Sequence, residues 1–213
     1  MNYVFYDFET SGNNKDFDQI LQIGAILTDS ALQVIDKINI SCRLKKDVVP
    51  APEALLVNKI SIDQLKTNDT SHYNLIEQLK KKFEEWSPAC FTGFNSISFD
   101  EDVLRQGLFK SLNFPYLTSA KGNRRLDILK LARATSAFAP NTLVVPLKEN
   151  NKESFKLEDL AKVNQIDHSN AHDAIADVMA TIELAKKIKN KASDVWDSLL
   201  VYTKGDDIGK KFF

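Results

Sequence analysis

The sequence predicts an α/β domain with a mixed central sheet and helices on both faces. Three observations carry that expectation. The first 44 residues hold three runs rich in β-branched and aromatic residues, NYVFYDF, QILQIGAILTD and LQVIDKINISCRL. From residue 73 onward helical spacing takes over, interrupted by one further strand-like run, and strands followed by strand–helix alternation is an α/β order. The 213 residues, 43% of them hydrophobic, suffice for one domain with a sizeable core.

Taken in order, NYVFYDF and the runs at 19–29 and 32–44 read as three strands, the last two joined by the short connection DSA as a hairpin. PAPEALLVNKISIDQL suggests a turn with short helices. In YNLIEQLKKKFEEW, residues Leu75, Ile76, Leu79, Phe83 and Trp86 fall on one helical face. ACFTGF, at 89–94, is a fourth short strand. Helices are expected at 99–112, 126–138, 157–164 and 171–190, separated by the polar stretches TSAKGNRR and VVPLKENNKES. Residues 1–190 form the predicted domain, and 191–213 read as a C-terminal extension that ends on aromatics as the start of a further region.

Composition narrows the function. With 28 Lys and Arg against 29 Asp and Glu, no global basic field advertises a polyanionic partner, so any nucleic-acid contact must be local. Cys42 and Cys90 are far apart and fit neither a disulfide framework nor a zinc site, so both read as buried free thiols. No apolar run reaches the length of a signal-peptide core or a spanning helix, which predicts a cytoplasmic protein without a membrane partner.

Carboxylates carry the chemistry. In a strand, residues i and i+2 share a face, so Asp7 and Glu9 in YDFETSG project together beside Phe5, while Val4, Tyr6 and Phe8 point the other way. Two close carboxylates repel unless cations hold both charged, and hard oxygen ligands suit Mg²⁺ or Mn²⁺. The alternative is a strand that ends at Tyr6 with two loop acids. Asp100, in FTGFNSISFDEDVLR, opens a helix just past a strand's C-terminal end, where α/β sheets build sites; there it is equally explained as a first-turn acid favoured by the helix dipole. In HSNAHDAIADVMATIELAKK, Asn170 and Asp173 resemble a capping box, which gives Asp173 a structural job. Asp177 has none, and lies among small residues that permit close approach to a sheet. His172 is expected at about the second helical position, where the dipole favours a neutral ring, or else as an exposed polar residue of the first turn.

D-x-E in a first strand, FD opening a helix after a strand, and H-x-A-x-x-D opening a late helix resemble, in that order, the three motifs of the DEDDh 3′–5′ exonucleases. YDFETSG, GFNSISFDEDVLR, RLDILKLARA and SFKLEDLAKVNQIDHSNAHDAIADVMATIELAK are most similar to the catalytic domain of the bacterial exonuclease I group within that family, over roughly residues 2–190. The resemblance implies a ribonuclease H-like (exonuclease) fold. It also implies that Asp7, Glu9, Asp100 and Asp177 hold two divalent cations, Mg²⁺ or Mn²⁺, with His172 as general base. His168 and Asp173 are also five apart, but H-x-A-x-x-D fits His172 and Asp177 through Ala174, so replacing His168 is expected to cost little. Where many relatives carry His-Asn, this chain has Asn95 and Ser96.

The function so implied is hydrolysis of single-stranded DNA from its 3′ end to nucleoside 5′-monophosphates, in DNA repair and recombination. Substrate contacts are expected from the backbone around Thr10, Ser11 and Gly12, from Asn95 and Phe99, and from the cations Lys121, Arg124, Arg125 and Lys156. A single-stranded DNA-binding protein is the implied partner, through regions outside this chain. Two other readings stay open: an exoribonuclease of the ribonuclease T or oligoribonuclease type, and a nucleic-acid-binding domain without catalysis. A dinucleotide-binding enzyme would need a glycine-rich turn after the first strand, where only Gly12 stands.

Overall fold

The structure, a computed structural model, describes residues 1–169 and 171–203. Asn170, expected as half of a capping box, and the aromatic chain end lie outside the described residues. Five strands form one sheet in the order β3-β2-β1-β4-β5. β1 (Tyr3–Thr10), β2 (Ile20–Thr28) and β3 (Val34–Ser41) are an antiparallel meander, whereas β4 (Cys90–Gly93) and β5 (Arg124–Asp127) join in parallel. The sheet is therefore mixed. The β2–β3 connection is tightened by Asp29, whose Oδ1 accepts from the amides of Ala31 and Gln33.

β1 lies at the centre with both faces buried, and its alternation feeds two cores. Val4, Tyr6 and Phe8 pack against α3 (His72–Glu85) and α4 (Asp100–Lys110), while Tyr3 and Phe5 pack against α5 (Ile128–Phe138), α6 (Leu157–Val163) and α7 (Ala174–Lys191). Helices thus cover both faces, as the sequence predicts. Two short helices, α1 (Pro52–Asn58) and α2 (Ile62–Thr67), fill the segment after β3; α2 begins on a capping box between Ser61 and Gln64. α8 (Ser193–Val201) falls in the stretch read as a C-terminal extension, yet it buries Trp196 in the second core, edge-on to the Tyr3 ring at 5.6 Å. The predicted 126–138 helix starts at 128 because Arg124–Asp127 pairs with β4. Both cysteines are buried and free, and among the described residues no helix is long and apolar enough to cross a membrane.

Candidate active site

β1 continues past Tyr6 to Thr10, so Asp7 and Glu9 are strand residues and the loop-acid alternative falls away. Their side chains point to the face that α7 covers. Asp177, one turn into α7, meets them there: carboxylate oxygens of Asp7, Glu9 and Asp177 all lie within 4.8 Å of one another. Such close approach of helix to sheet needs a missing side chain, and Gly24, paired with Asp7 across the β1–β2 ladder, supplies it. A Cβ there would come within 2.4 Å of the Ala174 backbone.

Asp100 arrives by a different route. β1 pairs with β4 only as far as Phe5, so the amide of Phe8 has no strand partner on that edge, and Asp100 Oδ1 accepts its hydrogen at 3.2 Å. The carboxylate completes the ladder with a side chain. Its neighbours in the first turn of α4 do other work: Glu101 accepts from the Tyr6 hydroxyl at 2.6 Å, from Thr118 at 2.8 Å and from Arg125, while Asp102 pairs with Lys15 at 2.9 Å. At the end of β5, Asp127 accepts from the amides of Asn95, Ile97 and Leu129, so one buried carboxylate caps α5 and holds the loop leading to Phe99 and Asp100.

Crowding shows in the acidities. Asp7 is pushed well above the usual carboxylate range by burial and then by the neighbouring charges of Asp100, Glu9 and Asp177. Burial followed by Asp177 raises Glu9 to about 7, and burial raises Asp100 in spite of its backbone hydrogen bonds. Hard oxygen donors that cannot all ionise on their own are the donor set a divalent cation requires, so the cluster fits such a metal.

The histidines differ from expectation. α7 begins at Ala174 with Asp173 as N-cap, its side chain accepting from the Ala176 amide, so His172 lies before the cap and not inside the first turn. It adopts a left-handed φ of 67° and lines the cavity in front of the carboxylates. Its amide donates to Asp177 Oδ1 at 3.2 Å. His168, whose replacement was expected to cost little, has a largely shielded side chain with Nε2 at 2.6 Å from that same oxygen.

The cavity has a volume of about 320 Å³ and its lining includes Asp7, Glu9, Asp177, His172, Thr10 and Phe99, together with Asn13, Asn58 and Val57. Of the expected substrate residues, the structure brings Thr10 and Phe99 to this cavity. Ser11 and Gly12 instead face Asp18, which accepts from Ser11 Oγ at 2.8 Å and would be struck by any Cβ on Gly12. Asn95 makes its contact with Asp127. The cations do not converge. Arg124 stands in register with Cys90, which pairs with Tyr3 at the opposite end of β1 from Asp7. Arg125 is engaged by Glu101, Lys121 borders a separate pocket, and Lys156 pairs with Glu158. Sequence reasoning weighed His168 but expected little of it, and missed Gly24, Asp127 and Asn58, the last of which donates to the Thr10 carbonyl at 3.0 Å.

A model of the Exonuclease family (RNase_T) matches residues 4–185. Exodeoxyribonuclease I of Buchnera aphidicola (subsp. Acyrthosiphon pisum) is 36% identical over 98% of this chain and 51% of its own length. The Escherichia coli protein of the same name is 33% identical over 94% of this chain and 42% of its own length. A crystal structure of E. coli exonuclease I in complex with a dT13 oligonucleotide superposes with a TM-score of 0.93 at 31% identity, covering 98% of this chain and 45% of that one. Exonuclease I from Methylocaldum szegediense gives a TM-score of 0.91 at 30% identity over 98% of this chain and 44% of its own. The chain spans about half the length of the relatives it matches, and the solved neighbours have the ribonuclease H-like fold expected.

Proposed function

The chain belongs to the Exonuclease (RNase_T) family, and from that premise we propose that it is a metal-dependent 3′–5′ exodeoxyribonuclease. It removes nucleoside 5′-monophosphates from the 3′ end of single-stranded DNA. The observation that carries this reading is the meeting of Asp7, Glu9 and Asp177 within 4.8 Å beside a cavity that also exposes His172. Residues 1–190 constitute the catalytic domain, with α8 packed upon it.

Asp7, Glu9, Asp177 and Asp100 would hold two divalent cations, Mg²⁺ or Mn²⁺. Such ions supply a more acidic water and neutralise the charge that builds on the scissile phosphate and the leaving 3′-oxygen. The chain's own groups do the rest. His172, in its neutral form, accepts the proton of the attacking water at a ring nitrogen, a role for which its position before the helix cap leaves the imidazole free to face the cavity. Phe99 offers an aromatic face to the terminal base, and stacking of that kind tolerates any sequence. Thr10, fixed by the hydrogen bond from its hydroxyl to the Gly12 carbonyl and by Asn58 on its own carbonyl, forms the floor on which the last nucleotide rests.

Support for DNA as substrate comes from the relatives, named exodeoxyribonuclease I, and from the neighbour solved with dT13. The test is direct. Purified chain is given 5′-labelled single-stranded DNA and RNA of one sequence with Mg²⁺ or Mn²⁺, alongside Asp177→Asn. Stepwise shortening of DNA that the variant lacks supports the reading; shortening of RNA in preference makes the enzyme an exoribonuclease, and no metal-dependent shortening of either refutes catalysis.

A further inference from the structure

Among the described residues, His168 is the one histidine whose ring hydrogen-bonds an acid of the cluster. Nε2 lies 2.6 Å from Asp177 Oδ1, and the side chain is only 7% exposed. A carboxylate accepts, so the ring nitrogen facing it carries the hydrogen. The other ring nitrogen, Nδ1, is buried without a hydrogen-bond partner among the described residues, so the polar chemistry of this imidazole is spent on Asp177 alone. The same oxygen also takes the amide hydrogen of His172. Two donors from one short segment, 168–172, therefore converge on Oδ1.

We infer that His168 is a positioning residue for the metal site: its imidazole holds Oδ1 of Asp177 and so turns that carboxylate toward Asp7 and Glu9. The inference rests on the reading of the cluster as a divalent-cation site. An aspartate one turn into a helix has rotamers to choose from, and fixing one of them in advance removes that choice from the cost of binding an ion. Packing alone does not require it. An apolar side chain of similar volume would fill the space, and the buried, unpartnered Nδ1 is a penalty that such a side chain would escape.

The experiment is Mn²⁺ binding to the full chain, followed by electron paramagnetic resonance or calorimetry, with thermal unfolding measured alongside. His168→Leu keeps volume and loses the donor; His168→Gln places an amide nitrogen where Nε2 stands; His168→Asn places it short. Expected is a loss of about 10- to 100-fold in Mn²⁺ affinity for Leu and Asn, with affinity largely restored in Gln, whatever the order of their melting temperatures. Should His168→Leu fail to fold, the Gln and Asn pair carries the same comparison. Leu or Asn binding Mn²⁺ as tightly as the wild type, or Gln no better than Asn, overturns the assignment. In either case Asp177→Asn must still abolish binding that the wild type shows; a wild-type chain that binds no Mn²⁺ overturns this inference and the metal-site reading together.

Discussion

Gly24 stands opposite Asp7 in the β1–β2 ladder, and the Ala174 backbone occupies the space where its side chain would be. The strand that faces the acid thus also sets how near α7, and with it Asp177, can come. Gly24→Ala should push helix and sheet apart. We expect a loss of about 1–3 kcal/mol in stability, typical of overpacking at a tight contact, and a fall in Mn²⁺ affinity, both read by urea unfolding and calorimetry on the same sample. A variant as stable and as metal-competent as the wild type would show that the contact yields without consequence.

His172→Ala should lower the maximal rate on single-stranded DNA by about 10²–10⁴-fold, the usual worth of a general base. Mn²⁺ affinity should hardly change, since the ligands stay and the amide that holds Asp177 belongs to the backbone. His168→Leu and His168→Asn should show the reverse, weaker metal binding with a rate that recovers as metal is raised. An exchange of these two behaviours would exchange the two roles.

The metal-free protein should lose stability as pH rises. In the folded state Glu9 keeps its proton up to about pH 7, against an ordinary value of 4.5, and Asp7 and Asp100 are shifted in the same direction. The folded state therefore binds more protons than the unfolded chain across this window, so the favourable contribution is complete below the ordinary carboxylate pKa and is lost as pH climbs through the folded values. In EDTA, the urea midpoint should fall between about pH 5 and about pH 8, and Mg²⁺ should restore it at the upper end. Asp7→Asn should flatten the slope and raise metal-free stability at pH 8 while abolishing turnover. A midpoint that rises with pH in EDTA would mean that the cluster is not crowded in solution.

No lysine or arginine among the described residues lines the cavity, whereas Asp7, Glu9, Glu53 and Asp177 all do. A phosphate approaching without divalent ions meets only negative charge. Fluorescence anisotropy should accordingly find no binding of a labelled oligonucleotide in EDTA and measurable binding with Ca²⁺. The salt dependence should be shallow, because few counterions are displaced at a cavity that no Lys or Arg among the described residues lines. Tight binding in EDTA would place the DNA on another face of the molecule.

Much of this was legible before any coordinates. Alternation along YVFYDFET tells which side chains share a face, and so that Asp7 and Glu9 act as a pair; the small residues around Asp177 mark a helix that lies close to a sheet. Other features depended on distance in the chain. Arg124–Asp127 carries three charges in four residues and becomes a strand only because β4 offers it an edge, so it reads as the start of a helix. Nothing local tells Gly24 from any strand glycine, since what forbids a Cβ there is a helix 150 residues away. The sequence sets the start of α7 at 171 because Asn170 with Asp173 three residues on resembles a capping box, whereas in the structure Asp173 itself is the N-cap. That one shift moves His172 out of the helix and leaves His168 within reach of Asp177. For the arginines the charge is visible in the sequence, but not that Glu101 engages Arg125.

β1 is a wall shared by two cores, and the acids at its end are anchored in different ones. Asp100 belongs to α4, rooted by Val103, Leu104 and Leu108 on one side; Asp177 belongs to α7, rooted by Val178, Ile182 and Ala185 on the other. Each helix can open against the sheet without consulting its counterpart, while like charges at the meeting point favour such opening. Ions shared between the two sides would couple them. In amide hydrogen exchange the first turns of α4 and α7 should then open separately in the metal-free protein and as a single unit once metal is bound. The cofactor would decide the size of the cooperative unit as well as the chemistry, and a lesion deep in either layer would be felt at the acidic cluster as a loss of grip on its ions.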